Sequence, residues 1–235
     1  MPPSGKSRGG VGSGSREGRL TARPGADVSG APAAGLQRLG GEGGRAGLLY
    51  VPAACEGGGA APLVIMLHGA GGDARQGVSL LRDFADEAGF LLLAPASRDA
   101  TWDAIRGEFG EDVEAIDGAL AEVFARHRVD AARVVAAGFS DGASYALSLG
   151  LTNGDLFTHV LAFSPGFMRP GEVRGRPRLF VSHGTRDAVL PVSRCSRPLV
   201  SQAREAGYEV VYREFDGPHV VPPEVAREAV EWFKA

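Results

Sequence analysis

The sequence predicts an α/β protein: a doubly wound, mostly parallel sheet with helices on both of its faces. Short apolar runs alternate along the chain with segments whose apolar residues recur at helical spacing, and this alternation is typical of βαβ units. The runs are continuous in their apolar character, which indicates strands that are buried on both faces. With 235 residues, 44% of them hydrophobic and 23% charged, the chain fits one globular domain of ordinary size.

The composition argues against several classes of partner and location. A formal net charge of −3 does not suggest nucleic acid or an anionic membrane surface as a partner. No apolar run approaches the ~18 residues that span a membrane, and the N-terminus lacks the hydrophobic segment of a secretory signal. We therefore expect a cytoplasmic protein, monomer or homodimer, in which Cys55 and Cys195 are free thiols.

The first part of the chain is poor in strong structural signals. Residues 1–18 are Gly/Ser-rich and basic, which predicts a disordered tail, and residues 19–235 are expected to form a single domain. An edge strand is expected at residues 36–39, and another strand at 47–52, where a proline ends it. The glycine-rich residues 55–61 are expected to form a turn between antiparallel strands.

The middle of the chain predicts the centre of the sheet. Continuous apolar runs predict buried strands, and amphipathic stripes predict the helices between them. Residues 97–110 are expected to form a loop. The predicted strands are 62–67, 90–95 and 134–137, and the predicted helices are 76–88, 111–127 and one that starts at residue 143.

The last third of the chain continues the same alternation. Only a short loop, residues 164–178, connects the first two strands of this part, and it is too short to hold a lid domain. A site at that edge of the sheet is therefore expected to be shallow and open. The predicted strands are 159–163, 179–182 and 209–215, and the predicted helices are 198–206 and 223–233.

The pentapeptide Gly138-Phe139-Ser140-Asp141-Gly142 stands between a buried strand and a helix. This G-x-S-x-G order is typical of a nucleophile elbow, a tight turn that lifts a serine clear of the sheet. The serine takes unfavourable backbone angles, and the residues two positions to either side must lack bulk, which Gly138 and Gly142 do. Because the start of a helix favours negative charge, Ser140 is the candidate nucleophile.

An acid and a histidine follow Ser140 at the ends of two later strands. Asp187 lies in HGTRDAVLPV and His219 lies in FDGPHVV. Since the carboxyl ends of parallel strands share one edge of the sheet, we expect the three side chains to meet there. Asp216 is the alternative acid, although it lies only three residues before the histidine. Ser164 follows a strand without an elbow and is expected to be a loop residue.

The other four histidines are expected to have structural roles. His127 ends a helix and His159 begins a strand. His183 precedes Asp187 in the chain and is expected to pin a loop through hydrogen bonds. His68 is expected to orient the loop that follows its strand.

Five pieces of the chain carry a family resemblance: LHGAGGD, GFSDGASYALSLGL, AFSPGF, HGTRDAVLPV and GPH. They resemble α/β-hydrolases of the phospholipase/carboxylesterase type, close to small esterases, acyl thioesterases and polyhydroxybutyrate depolymerase-like proteins. The resemblance spans residues 48–235. It implies the α/β-hydrolase fold without a lid domain and a hydrolytic triad, but it singles out no substrate.

The chemistry of such a triad assigns a role to each side chain. Serine is a poor nucleophile unless a base lies within hydrogen-bond reach. His219 is expected to take the Ser140 proton and return it to the leaving group, while Asp187 fixes the imidazole tautomer.

The tetrahedral oxyanion of such a reaction needs two backbone N–H donors. One is expected from Asp141, the residue after the nucleophile, and the other from Ala70, with Gly71 as the alternative. The carboxylate of Asp141 is unusual beside an oxyanion, and the sequence does not account for it.

His68, Trp102 and Phe139 are candidates for lining a substrate pocket. Asp103 and Phe109 lie on the same loop as Trp102, and packing within that loop is the alternative role for these three residues. We expect a serine carboxylesterase that cleaves small-molecule esters of small or exposed acyl groups without a metal or another cofactor. The same triad also suits a thioesterase or a lysophospholipase. A catalytically silent binding protein on the same scaffold is the alternative from another class.

Overall fold

A computed structural model describes residues 13–25, 28, 33–40 and 47–235 of the chain. Its strands are β1 (Gly35–Leu39), β2 (Gly47–Val51), β3 (Ala61–Leu67), β4 (Leu91–Ala94), β5 (Val129–Phe139), β6 (His159–Phe163), β7 (Arg178–Gly184) and β8 (Val210–Phe215). They form one sheet in the order β1-β2-β4-β3-β5-β6-β7-β8. The pairs β1–β2 and β2–β4 are antiparallel, and all other neighbours are parallel. The mostly parallel sheet predicted from the sequence is therefore confirmed.

The helices lie between these strands, as the alternating pattern predicts. They are α1 (Ser13–Arg16), α2 (Ala74–Ala88), α3 (Asp103–Arg106), α4 (Glu111–Arg126), α5 (Asp141–Thr152), α6 (Ser196–Glu205) and α7 (Pro223–Lys234). Helix α2 starts two residues before its predicted start because the Asp73 side chain accepts hydrogen bonds from the N–H groups of Arg75 and Gln76. It ends at Gly89, whose φ of 67° lies in the left-handed region.

Helices cover both faces of the sheet, which explains why its strands are apolar throughout. All seven residues of β3 are buried. Leu63, Ile65 and Leu67 face the core that α4, α5 and α6 close, whereas Val64 and Met66 face the core that α2 and α7 close.

Helix α3 lies in the stretch 97–110, where the sequence predicts a loop, and that prediction is wrong at this point. The Asp103 side chain accepts a hydrogen bond from the Ala104 N–H at 2.7 Å and another from the Asp112 N–H at 2.9 Å. One carboxylate thus stabilises the start of α3 and ties it to the start of α4.

The N-terminal segment differs from the predicted tail at its boundary. Residues 1–12 of that tail lie outside the described residues, but α1 and the chain after it pack on the domain. The buried Asn153 side chain accepts a hydrogen bond from the Leu20 N–H and donates one to the Gly18 carbonyl. Arg19 pairs with Asp155, and this contact holds the pKa of Asp155 below its ordinary value. These partners lie more than 130 residues away, so local sequence could not reveal them.

Two predictions about the chain's surroundings remain predictions. Among the described residues, no helix has both the length and the apolar character needed to cross a membrane. Cys55 and Cys195 are both free and partly buried. The cytoplasmic location and the monomeric or dimeric state stay predictions.

Candidate active site

The turn from β5 into α5 has the backbone geometry of a nucleophile elbow. Ser140 has φ 57° and ψ −121°, which is strained for a non-glycine residue, and its N–H donates to the Phe163 carbonyl at 2.9 Å. A Cβ at Gly138 would lie 2.1 Å from the Gly142 carbonyl oxygen, and a Cβ at Gly142 would lie 2.2 Å from the Leu67 carbonyl oxygen. Both positions therefore require glycine, for the steric reason that the sequence suggests.

Three strand ends bring Ser140, His219 and Asp187 into one hydrogen-bonded chain. Ser140 Oγ lies 2.8 Å from His219 Nε2, and His219 Nδ1 lies 2.5 Å from Asp187 Oδ2. The Asp187 side chain is fully buried, whereas 14% of the His219 side chain is exposed. Asp216, the alternative acid, instead pairs with Arg186 on the surface.

The surroundings of Asp187 favour its ionised form. Its Oδ1 accepts hydrogen bonds from the N–H groups of Val189 and Leu190 at 2.9 and 2.8 Å. Burial raises the pKa of Asp187. These N–H groups and the His219 imidazole together lower it by more than that, so the net pKa lies below its ordinary value. The carboxylate can therefore hold the Nδ1 proton of His219 without accepting it.

A second imidazole lies against the same carboxylate. His183 is fully buried, and its Nε2 lies 3.2 Å from Asp187 Oδ2 and 2.7 Å from the Leu190 carbonyl, to which it must donate. Its Nδ1 therefore accepts the hydroxyl hydrogen of Ser196. Burial lowers the pKa of His183, which keeps the ring neutral. These bonds pin the loop around Asp187, as the sequence predicts for this histidine.

Two backbone N–H groups lie free near Ser140. Those of Ala70 and Asp141 have no acceptor among the residues that the structure describes. The loop that carries Ala70 touches the elbow, because a Cβ at Gly69 would lie 3.4 Å from Ser140 Cβ. Gly71 was the alternative donor, but its N–H already donates to the Ala100 carbonyl at 2.6 Å. That alternative is therefore wrong.

His68 and Trp102 are buried braces, so the prediction that they line a pocket is wrong. Both are 0% exposed. His68 Nε2 accepts the Ser97 N–H at 3.0 Å, so its Nδ1 carries the proton and donates to the Gly69 carbonyl. Trp102 Nε1 donates to the His68 carbonyl at 2.9 Å. These contacts fix the loop that presents Ala70, which is the orienting role predicted for His68.

The remaining residues near the serine are also held in place. The Asp141 carboxylate accepts a hydrogen bond from Thr101 Oγ1 at 2.7 Å, and this contact accounts for the carboxylate that the sequence left unexplained. The half-buried Phe139 ring lies 4.8 Å from the His219 ring, centroid to centroid, so Phe139 supports the imidazole.

A buried acidic network beneath this region was missed by the sequence analysis. The Asp112 carboxylate is 2% exposed and accepts the N–H groups of Arg98 and Asp103 at 2.7 and 2.8 Å. Asp103 in turn accepts the Tyr145 hydroxyl at 2.9 Å. Burial raises the pKa of Asp112 to about 6. An acid in the first turn of a helix usually lies in solvent, so no sequence signal marked this one.

A ladder of hydroxyls on α5 was missed as well, although Ser144, Ser148 and Thr152 recur at i, i+4 on an otherwise apolar helix. Each hydroxyl donates to the carbonyl four residues earlier on its own helix and accepts an N–H from the loop 164–178. The ladder therefore fixes this loop along α5. The accepted N–H groups belong to Gly166 (2.9 Å), Arg169 (3.0 Å) and Gly171 (2.9 Å), respectively.

Comparison with known proteins identifies the fold. No protein-family model matches the sequence, and no curated protein matches it. Among solved structures, the chain is similar to esterase PE8, with 22% identity, a TM-score of 0.65 and coverage of 79% of this chain and 96% of that one. It is also similar to a phospholipase/carboxylesterase from Dyadobacter fermentans, with 22% identity, a TM-score of 0.63 and coverage of 80% and 96%.

An acetyl xylan esterase from Aspergillus awamori has 16% identity and a TM-score of 0.66, with coverage of 86% of this chain and 99% of that one. The chain thus has the α/β-hydrolase fold that the motifs predicted. At this level of identity the likeness is one of fold.

Proposed function

We propose that the protein is a serine hydrolase that cleaves carboxylic esters of small or exposed acyl groups through an acyl-enzyme on Ser140. One observation supports this proposal above all: an unbroken hydrogen-bonded chain runs from the Ser140 hydroxyl through His219 to the buried Asp187 carboxylate. The solved structures of similar fold carry the names esterase and carboxylesterase, which agrees with the same bond type.

The first step forms the acyl-enzyme. Ser140 Oγ attacks the ester carbonyl carbon while its proton passes to His219 Nε2, 2.8 Å away. The imidazole becomes positively charged, and the ionised Asp187 stabilises that charge through the Nδ1 proton. The low pKa of Asp187 serves this role, because a neutral carboxyl group could not offset the charge.

The carbonyl oxygen becomes an oxyanion in this step. The free N–H groups of Ala70 and Asp141 are the donors that would stabilise it. The loss of one such donor costs on the order of 10²–10³ in rate. The Thr101 hydroxyl draws the Asp141 carboxylate towards itself and so limits its repulsion of the oxyanion.

The second half of the cycle reverses the proton's path. His219 gives its proton to the alcohol oxygen as the C–O bond breaks, which leaves the acyl group on Ser140. Water then attacks the acyl carbon and gives one proton to His219. The proton returns to Ser140 Oγ as the carboxylic acid leaves, so the enzyme regains its starting state and needs no cofactor.

The open surface around the triad favours small or exposed acyl groups. The loop between β6 and β7 is too short to hold a lid domain, and the hydroxyl ladder ties it along α5. Val189 and Val220 flank Asp187 and His219 in the chain and are 65% and 42% exposed. A short apolar acyl chain could contact these two side chains, and a substrate with such a chain needs no buried tunnel.

A substrate panel tests the proposal. We expect the wild type to hydrolyse p-nitrophenyl acetate and butyrate faster than the octanoate, and Ser140→Ala to lose at least about 10⁴-fold in kcat/KM. Ser201→Ala is the matched control, because Ser201 lies exposed on α6 and bonds only to Glu205. Acyl thioesters and lysophospholipids in the same panel separate the related activities.

Labelling by a fluorophosphonate probe gives an independent readout. We expect the wild type and Ser201→Ala to be labelled and Ser140→Ala to remain unlabelled. If folded wild-type protein neither takes the label nor turns over any ester or thioester, the protein is a binding protein and the proposal is wrong.

A further inference from the structure

A cavity of about 650 Å³ lies beside the loop that carries Ala70. Leu36 and Arg38 of β1 and Leu48 of β2 line one side of it. Residues 71–75, which lead into α2, line another side, and Ala100 closes the wall next to them. Its size suits part of a small molecule. Nothing in the proposed reaction uses it so far.

The backbone of residues 69–71 runs from the serine to this cavity. Gly69 touches the elbow, since a Cβ there would lie 3.4 Å from Ser140 Cβ. Ala70 presents its free N–H, and Gly71, the next residue, already lines the cavity. The hydrogen bond between the Gly71 N–H and the Ala100 carbonyl keeps this backbone in place. A substrate that reacts at Ser140 can therefore extend over Ala70 and reach the cavity.

The cavity carries an excess of positive charge. Among the residues that the structure describes, neither Arg38 nor Arg75 pairs with a carboxylate. Asp73 is the one acid in the lining, and its carboxylate already accepts two N–H groups at the start of α2. The lining therefore holds two positive charges and one negative charge, and the negative one is already engaged in hydrogen bonds.

The rest of the cavity wall is apolar. Leu36 on the edge strand β1 is 49% exposed. Arg38, two residues further along β1, is the register partner of Leu48 on β2, and all three residues line the cavity. A cavity with leucines on one side and guanidinium groups at its rim matches a ligand with a short apolar chain and an anionic end.

We propose that this cavity binds the anionic end of an ester substrate, with Arg38 and Arg75 pairing with a carboxylate or phosphate and the leucines contacting the chain before it. This inference rests on the proposed ester hydrolysis and narrows its substrate class from esters in general to esters that carry a negative charge away from the scissile bond.

The test compares matched esters that differ in one charge. Mono-p-nitrophenyl adipate is compared with p-nitrophenyl hexanoate for a charge on the acyl side. The butyrate ester of 4-hydroxybenzoate is compared with that of 4-hydroxybenzamide for a charge on the alcohol side. The measured quantity is the ratio of kcat/KM for the anionic ester to kcat/KM for its neutral partner.

We expect this ratio to exceed one in at least one pair and to fall about fivefold in the double variant Arg38→Gln/Arg75→Gln, as exposed ion pairs allow. It should also fall in 0.5 M NaCl, which screens the charges. Arg128→Gln is the control and should keep the ratio, because it removes one positive charge at the opposite, amino-terminal edge of the sheet. Inhibition by adipate and by inorganic phosphate distinguishes the two kinds of anion.

Two outcomes overturn the inference: a ratio of one or less in both pairs, or a ratio that the double variant leaves unchanged. Neither outcome affects the proposed function, which stands if the neutral esters are hydrolysed by the wild type and not by Ser140→Ala. If no ester is hydrolysed, calorimetric binding of adipate to the wild type and to the double variant still decides the matter. Weaker binding by the variant supports the cavity's role, and equal binding or none overturns it.

Discussion

The elbow and the loop that presents Ala70 lie side by side at the site, yet they keep their shapes in different ways. The elbow is shaped by steric contact: Gly138 and Gly142 approach neighbouring carbonyls so closely that no side chain fits. The Ala70 loop is shaped by hydrogen bonds from residues about 30 positions away, among them Ser97 and Trp102. Steric contact allows a single geometry, whereas hydrogen bonds can be lost one at a time.

This difference leads to different expectations for mutations. A side chain added at an elbow glycine should abolish activity, because its Cβ would clash with a backbone carbonyl and force the turn to move. A change in the hydrogen-bonded brace should weaken the site by degrees, since the remaining bonds still hold the loop. Four predictions test this contrast, in order of decreasing effect.

Gly142→Ala should have the largest effect. Its Cβ would lie 2.2 Å from the Leu67 carbonyl oxygen and 2.5 Å from that of His68, so the elbow must move. We expect kcat/KM to fall about 10⁴-fold, because both the proposed nucleophile Ser140 and the proposed donor N–H of Asp141 are displaced. The free energy of unfolding should fall by about 3 kcal/mol.

Gly118→Ala is the matched control for that measurement. Gly118 lies in α4, and a Cβ there meets nothing within 4 Å. We expect this variant to keep its activity and to gain up to ~1 kcal/mol of stability in urea unfolding. Equal behaviour of the two variants would contradict the steric account of the elbow.

Asp187→Asn tests whether one hydrogen bond between distant residues can also have a large effect. The bond in question joins Asp187 to His219, the residue that is proposed to take the Ser140 proton. The amide cannot stabilise the imidazolium as an anion does, so we expect kcat to fall about 10³-fold with little change in KM. Asp216→Asn should leave kcat unchanged, because Asp216 pairs with Arg186 on the surface and lies outside the hydrogen-bonded chain of Ser140 and His219. A larger loss in the Asp216 variant would exchange the roles of the two acids.

Thr101→Val should have a graded effect, because it removes one hydrogen bond at the elbow and introduces no steric clash of the kind that Gly142→Ala does. It removes the hydroxyl that binds the Asp141 carboxylate. We expect kcat to fall about tenfold, which corresponds to ~1.4 kcal/mol. Thr101→Ser keeps the hydroxyl and should restore most of the rate. A loss as large as that of Gly142→Ala would erase the contrast between the two regions.

Asp112→Asn should have the smallest effect on rate, a few-fold loss in kcat, and a clear effect on the pH dependence of stability. Burial raises the pKa of Asp112 to about 6, above the ~4 of an unfolded aspartate. The folded state therefore binds the proton more tightly, and this contribution to stability is present below pH ~4 and lost as the pH rises to about 6.

We expect the free energy of unfolding of the wild type, minus that of Asp112→Asn, to decrease between pH 4 and pH 6. Urea unfolding at several pH values measures this difference. A difference that stays constant or increases with pH would show that burial does not control this carboxyl group.

The same contrast explains which parts of the molecule could be predicted. The strands, the larger helices and the elbow were predicted because periodicity and tight turns depend on neighbours in the chain. The meeting of Ser140, Asp187 and His219 was also predictable, since parallel strands end at one edge. His68 and Trp102 were predicted to line a pocket, but both are buried. Their burial depends on contacts between distant segments: His68 bonds Ser97, and Trp102 packs against Tyr145.

The sequence by itself thus determined the order of strands and helices, the glycines of the elbow and the three residues that converge on it. Only the tertiary structure decided which N–H groups lack an acceptor among the described residues, which side chains brace them, and where two arginines with no carboxylate partner in that part of the chain line a cavity near the serine. The physical reason is the range of the interactions. Backbone sterics and hydrophobic periodicity act between near neighbours, whereas hydrogen-bond partners and burial are set by segments that meet only after folding.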